Sequence, residues 1–326
     1  MAENPVDAPK PRPGPAAGLV YHAGALGDFV LSLPAVFRVA AAHPELTWRF
    51  WGPADRLALL PNFRPAPADL LRAGHTLWGA EPDPAVLRCL GEARLVLAFG
   101  GRQPPPWNVP AAVRLVRVAS FPPAGGEWVP AHQARQMDAQ GVPPLRVPWL
   151  PAWRSRILTD PFPSEILVHP GSGDPHKNLP AAAWAEVLEE LQALLPAAVL
   201  LGPAEQERGD WESLVRAADA VRTCATLGEL LAVLPRARLL LGNDSGVSHL
   251  AAALGIPTVA AFGPSDPRLW KPLGSRVRIV QTGRACAPCS AGEPIGCREP
   301  ACWESLPARA IVAAAKELLA ETHRDR

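Results

Sequence analysis

Lysine is almost missing from this sequence. Of its 32 basic residues only Lys10, Lys177, Lys271 and Lys316 are not arginine, and 40 prolines accompany them, the imprint of a GC-rich coding bias. Against that background a lysine kept inside a motif stands out, and Lys177 is that residue. Net charge is scarce too. A formal balance of +1 gives no bulk attraction to nucleic acid or to an anionic membrane, so no nucleic-acid partner is expected. Long apolar runs are absent, because Pro, Arg or Gly interrupts each one before the roughly 18 to 20 residues a membrane-crossing helix needs. Any membrane contact is therefore expected to be peripheral. Residues 1–15 are polar and proline-rich and lack the apolar core of a secretory signal, so they are expected to be a disordered tail on a cytoplasmic protein.

What the chain does have is length and a globular balance. Its 326 residues, 48% hydrophobic and 19% charged, are enough for two domains with separate cores. Strand-like segments at 18–23, 46–52, 94–100 and 112–119 alternate with helical stretches, and a second alternation has strands at 165–170, 197–203, 238–243 and 258–263. That order predicts α/β architecture, with two doubly wound parallel sheets in succession and a ligand cleft at the carboxyl ends of their strands. The proline-bounded stretch 148–163 reads as the linker, and 307–322 as a closing helix with Pro307 in its first turn and Ile311, Ala314, Ala315, Leu318 and Leu319 at helical spacing. The expected division is a tail at 1–15, a first Rossmann-like domain at 16–155, a second at 156–306 and a C-terminal helix at 307–326.

Three loops after strands carry residues suited to chemistry. GALGD (24–28) places Asp28 where a strand turns into a helix. Asp is a favoured helix cap, and it is equally a carboxylate able to take a proton from a sugar hydroxyl. HPGSGDPHKNLP (169–180) brings small residues, Ser172 and Lys177 to a helix start, which is the make-up of an anion site, or of a tight turn with a solvated lysine. The Gly-x-x-x-x-Gly-Lys-Ser/Thr spacing of a P-loop is not there. In LLLGNDSGVSHLAAALGIPTVAAFGPSDP (239–267), Asp244, Ser245, Gly246 and His249 lie within about a turn and a half of one strand end, where they can converge on one ligand. The plain reading of the same residues is that Asp244 and Ser245 cap a helix and His249 is a core histidine.

Together the loops resemble the ADP-heptose:lipopolysaccharide heptosyltransferase family from about residue 18 onward, most specifically through NDSGVSHLAAALGIPTVAAFGPSDP. The resemblance implies the GT-B fold, two Rossmann-like domains facing an interdomain cleft. It implies an inverting transfer of heptose or a related sugar from an ADP-sugar to a lipopolysaccharide inner-core acceptor, with Asp28 as catalytic base. Ser172 and Lys177 would contact the donor diphosphate, Glu205 the ribose, and Asp244, Ser245, Gly246 and His249 the rest of the donor. No cofactor and no metal is implied, the nucleotide sugar being substrate. The chain departs from the family at Leu179, where Trp is common, and at Val247 and Ser248, where Pro-Met is frequent. Competing readings are a nucleotide-sugar epimerase and a nucleotide-sugar-binding protein without turnover.

Cys286, Cys289, Cys297 and Cys302 sit in a loop with Gly and Pro, where zinc, disulfides or plain thiols are all open, although the spacing is short for a zinc ribbon. Cys89 and Cys224 read as core. The 11 tryptophans are scattered and none is assigned a site. Arg102, Arg114 and Arg117 could meet an anionic acceptor or form a solvated strand edge.

Overall fold

The computed structural model describes residues 16–123, 125–145, 150, 153–155, 164–289, 297 and 301–324. The expected tail and most of the expected linker lie outside them, so those two expectations stay with the sequence.

The first half forms a five-stranded parallel sheet in the order β3-β2-β1-β4-β5, from β1 (Ala17–Tyr21), β2 (Thr47–Trp51), β3 (Arg64–Pro65), β4 (Ala93–Gly100) and β5 (Arg114–Ala119). Its helices are α1 (Leu26–Ala42), α2 (Ala68–Ala73), α3 (Pro84–Gly91) and α4 (Val129–Ala139). The second half repeats the plan with six parallel strands in the order β11-β10-β9-β6-β7-β8. They are β6 (Glu165–His169), β7 (Ala197–Leu201), β8 (Ala220–Thr223), β9 (Ala237–Asn243), β10 (Thr258–Phe262) and β11 (Val277–Gln281). Here the helices are α5 (Ala181–Leu191), α6 (Pro203–Arg208), α7 (Glu212–Ala217), α8 (Leu227–Val233), α9 (Gly246–Ala253), α10 (Pro267–Trp270) and α11 (Ala308–Arg324). In each sheet the chain reverses its winding direction beside its first strand, between β1 and β4 and between β6 and β9. Those crevices are where open sheets bind ligands.

The expected strands are all present. The sequence reading passed over β3, β8 and β11, which lie at sheet edges and are at least partly solvated, so they lack the unbroken apolar run that marks a parallel strand buried on both faces. Central strands such as β6, β7 and β10 are buried at every position and read plainly.

Three apolar clusters hold the molecule together. One lies under α2 and α3 on the first sheet. Another lies between the second sheet and α5 and α11, where Trp184 and Leu188 meet Ile311, Ala315 and Leu318. The third is shared by the two halves: Phe29, Leu33 and Val36 of α1 belong to one cluster with Leu250, Ala251 and Ala253 of α9. Burying a side chain such as Phe29 completely is worth about 1.5–3 kcal/mol, so this seam contributes substantially to the association of the halves. α1 is also tied to α4 by the buried Arg38, which donates to the carbonyls of Ala134 and Pro143 and pairs with Asp138 at 2.5 Å. Ala134 lies within α4 and Pro143 beyond its end, so Arg38 fastens both the helix and the segment that follows it to α1.

Candidate active site

β1 ends at Tyr21, and His22 to Ala25 turn the chain into α1. The turn is held from within. His22 Nδ1 accepts from the Gly24 amide at 3.2 Å, its Nε2 lies 3.2 Å from Ser32 Oγ, and that hydroxyl donates to the Asp28 carbonyl at 2.8 Å. Burial, with Arg56 nearby, lowers His22 to about 3, so it stays a neutral brace. The residue before the helix is Ala25, without a side-chain cap, so Asp28 is not the capping residue. It sits in the first turn and takes a hydrogen bond back from Ala25, and burial raises its carboxyl above the ordinary range, against the pull of His249 and Lys177. Both of those opposing groups belong to the second half.

In that half, Asp174 caps the short turn Pro175–Lys177, and Lys177 Nζ reaches Asp244 Oδ2 at 2.8 Å. His249 Nε2 lies 3.2 Å from Asp244 Oδ1. Burial alone would raise the Asp244 carboxyl, but Lys177 and His249 outweigh it and hold it well below the usual carboxylate range. Lys177 is pushed up in turn: burial opposes its charge, and Asp244 and Asp28 more than restore it. Ser245 caps α9 by accepting from the Ser248 amide at 3.3 Å, which leaves Asp244 to hold the lysine. Asn243 fixes the strand end, accepting from the Leu179 amide at 3.1 Å and donating to the Pro170 carbonyl at 2.5 Å.

Two glycines let the halves meet. A Cβ on Gly246 would fall 2.8 Å from Leu26 Cβ and 3.1 Å from the Gly27 nitrogen, and one on Gly27 would fall 3.1 Å from His249 Cδ2. The N-terminal turns of α1 and α9 are thus pressed together, and Asp28, Lys177, Asp244, Ser245, Gly246 and His249 share one locality. A cavity of about 580 Å³ opens beside it, lined by Tyr21, His22, Gly24, Asp28, Trp78 and Arg102 among others. Its wall comes wholly from the first half. Asp28 is the residue that both lines it and feels the charges across the seam.

Ser172 and Glu205, expected to touch the donor, are turned inward. The buried Ser172 hydroxyl lies 2.6 Å from the Asp174 carbonyl and 2.7 Å from Asn178 Oδ1, bracing its own loop. Glu205 is buried, accepts from the Gly202 amide at 2.9 Å and lies 3.6 Å from His169 Nε2. Burial would raise its carboxyl, yet the contacts with His169 and Gly202 leave it lowered. Gly171 is indispensable to this packing, since a Cβ there would come within 1.8 Å of Glu205 Oε1. Of the three arginines, Arg102 lines the cavity, whereas Arg114 and Arg117 reach backbone carbonyls of Gln140 and Trp107 within the first half. Leu179, where the resemblance leads one to expect Trp, is fully buried in the second core.

Sequence reasoning missed Trp303. Its indole donates to the His176 carbonyl at 2.9 Å, and its ring lies so close to Gly263 that a Cβ would come within 2.6 Å. It therefore props the lysine loop from behind, a contact across 127 positions that no local pattern announces. Nearby, Cys302 is buried, Cys286 and Cys297 are exposed, and much of the segment between them is outside the described residues. Among the described residues, no group of three or more His, Cys, Asp or Glu is arranged to hold a metal, and no helix is long and apolar enough to cross a membrane. Cys224 is buried as expected, but Cys89 is only half-buried, its Sγ 3.9 Å from Asp69 Oδ2.

Two parallel sheets of Rossmann strand order, joined at a seam that collects a carboxylate from one and a cation and helix start from the other, have the GT-B architecture. Residues 150–296 match the model of glycosyltransferase family 9 (heptosyltransferase). The chain is 26% identical over 308 residues to lipopolysaccharide heptosyltransferase 1 of Pseudomonas aeruginosa, covering 83% of this chain and 85% of that one. It is 22% identical to lipopolysaccharide heptosyltransferase 1 of Escherichia coli, with 82% and 93% covered. A glycosyl transferase family 9 structure from Veillonella parvula shares the fold with a TM-score of 0.64 at 18% identity over 94% of this chain and 97% of that one. An E. coli heptosyltransferase solved with ADP gives 0.63 at 18% identity, with 93% and 99% covered. The chain is a glycosyltransferase similar to the heptosyltransferases, with the family 9 match confined to residues 150–296.

Proposed function

We propose that this enzyme transfers heptose, or a closely related sugar, from an ADP-activated donor to a lipopolysaccharide inner-core acceptor with inversion at the anomeric carbon, in the cytoplasm or at the inner face of its membrane. The observation that carries the proposal is the position of Asp28, on the wall of the first-half cavity and within electrostatic reach of Lys177 and His249. An acceptor hydroxyl in that cavity would lose its proton to Asp28 as its oxygen bonds the anomeric carbon. The bond from that carbon to the diphosphate breaks on the opposite face, and the nucleoside diphosphate leaves with the electron pair. Lys177 and the positive end of α9 suit the charge that develops there. Because the leaving group is already activated, one carboxylate is enough and no cofactor is called for. Asp244 and His249 hold Lys177 and the helix start in place, and Ser172 and Glu205 brace the loop beneath the donor.

Asp28→Asn keeps the shape and removes the base. Transfer to a deacylated inner-core lipopolysaccharide acceptor, followed by ADP release and product mass, should fall by about 10²–10⁴-fold while donor affinity is kept. Near-normal turnover would remove Asp28 from the reaction.

A further inference from the structure

Among the large apolar side chains of the described residues that stand in solvent, Trp78 is the aromatic one, 47% exposed. It is not loosely held. Its turn, Gly74–Trp78, rests on Trp51 so closely that a Cβ at Gly74 would meet the indole at 1.9 Å. Thr76 Oγ1 donates to the Ala73 carbonyl at 2.8 Å and accepts from the Asp83 amide at 2.9 Å, and the Gly79 amide closes the turn on the Thr76 carbonyl at 2.9 Å. The ring itself lies perpendicular to that of the fully buried Trp107, centroids 4.8 Å apart at 90°, and 5.3 Å from Tyr21. Trp107 and Tyr21 in turn pack on Trp51. Three rings and a clamped turn therefore fix the orientation of an indole that is still half open.

That indole lines the same cavity as Asp28. A pyranose ring presents a patch of C–H bonds on one face and hydroxyls at its rim. The electron-rich face of a tryptophan receives such a patch, and a ring immobilised beforehand loses little entropy in doing so. We infer that Trp78 is the platform on which a sugar ring of the acceptor stacks, setting how that ring is presented to Asp28. It is a positioning and specificity residue and takes no part in proton transfer. This assignment rests on the reading of the cavity as the acceptor side.

The test compares wild type, Trp78→Ala and Trp78→Phe with a deacylated inner-core lipopolysaccharide as soluble acceptor, measuring transfer kinetics, acceptor binding without donor, and ADP binding. The expected result for Trp78→Ala is an acceptor KM and Kd raised about tenfold, with kcat at saturation and ADP affinity kept, and substantial recovery in Trp78→Phe, which retains a ring. Unchanged acceptor KM and Kd in Trp78→Ala overturns the inference, and loss of transfer in Asp28→Asn in the same assay would then leave the proposed reaction standing. Equal losses of acceptor and ADP binding in both variants also overturn it, because they show a structural role. So does a third pattern, soluble-acceptor kinetics unchanged while binding to phosphatidylglycerol–phosphatidylethanolamine vesicles is lost, which would make Trp78 a membrane anchor. Wild-type protein that neither binds nor transfers to the acceptor overturns both readings together.

Discussion

Removing the Lys177 cation should do two separable things. Its partner Asp244 is only 6% exposed, while Lys177 is 31% exposed, so Lys177→Met leaves a nearly buried carboxylate with His249 as its remaining counter-group at 3.2 Å. Stripping one member from a fully buried pair costs about 3–5 kcal/mol. The partial access of water to Lys177 and the retained His249 bring this down to about 2–3 kcal/mol, or about 3–4 °C in Tm for a chain of this size. The double variant Lys177→Met/Asp244→Asn has no stranded charge and should recover most of that loss. Donor affinity behaves differently. Losing a hydrogen bond to a charged phosphate is worth about 1.5–3 kcal/mol, so ADP binding should weaken about 10- to 150-fold in the single variant and stay weak in the double. Calorimetric melting and ADP titration at pH 7 read both. The depressed Asp244 carboxyl stabilises the fold above the unfolded carboxylate range and loses that contribution as pH falls towards its own lower value. The stability gap between wild type and Lys177→Met should therefore be fullest near neutrality and narrow in acid. A double variant no more stable than the single one, or ADP affinity indifferent to Lys177, would refute the reasoning.

Three further outcomes follow from the seam. Because burial raises the Asp28 carboxyl and a base must be ionised to act, the acid limb of kcat/KM should fall above the unperturbed carboxylate value of about 4, and a limb at or below that value would contradict the assignment. The same raised value means that ionised Asp28 costs the fold stability at neutral pH, so Asp28→Asn should melt no lower than wild type. Gly246→Ala would drive a methyl into Leu26 and the backbone of Gly27, at 2.8 and 3.1 Å, and should lower stability by about 1–3 kcal/mol and reduce kcat, as melting and steady-state rates would show. Wild-type behaviour would mean that the two helix starts yield easily.

Much of this molecule was legible in its sequence where one physical cause dominated. Strands buried on both faces, such as Ile166 to His169 or Leu239 to Asn243, read as unbroken apolar runs, and the loops that follow them carried Asp28, Lys177 and Asp244 in plain view. What stayed hidden is which way each side chain turns and what it meets there. Ser172 reads like a phosphate ligand, but its hydroxyl is engaged inside its own loop, and Glu205 reads like a ribose contact but is packed against Gly171 and His169. Trp303 behind the lysine loop and Trp78 beside Asp28 looked like two of 11 scattered tryptophans, because only the fold shows which rings meet. The edge strands β3, β8 and β11 were invisible for the opposite reason, being too solvated to leave a hydrophobic signature.

The apolar cluster that runs from α1 into α9 bears on how such enzymes can be recombined. Phe29 and Leu33 on one side and Leu250 and Ala251 on the other are a matched pair of surfaces, with Gly27 and Gly246 setting their spacing. A chimera that imports a relative's donor half at the domain boundary would inherit a foreign α9 against the resident α1. Grafts that carry the α1 face along with the new half should fold and turn over, whereas those cut at the boundary alone should yield mismatched and inactive hybrids.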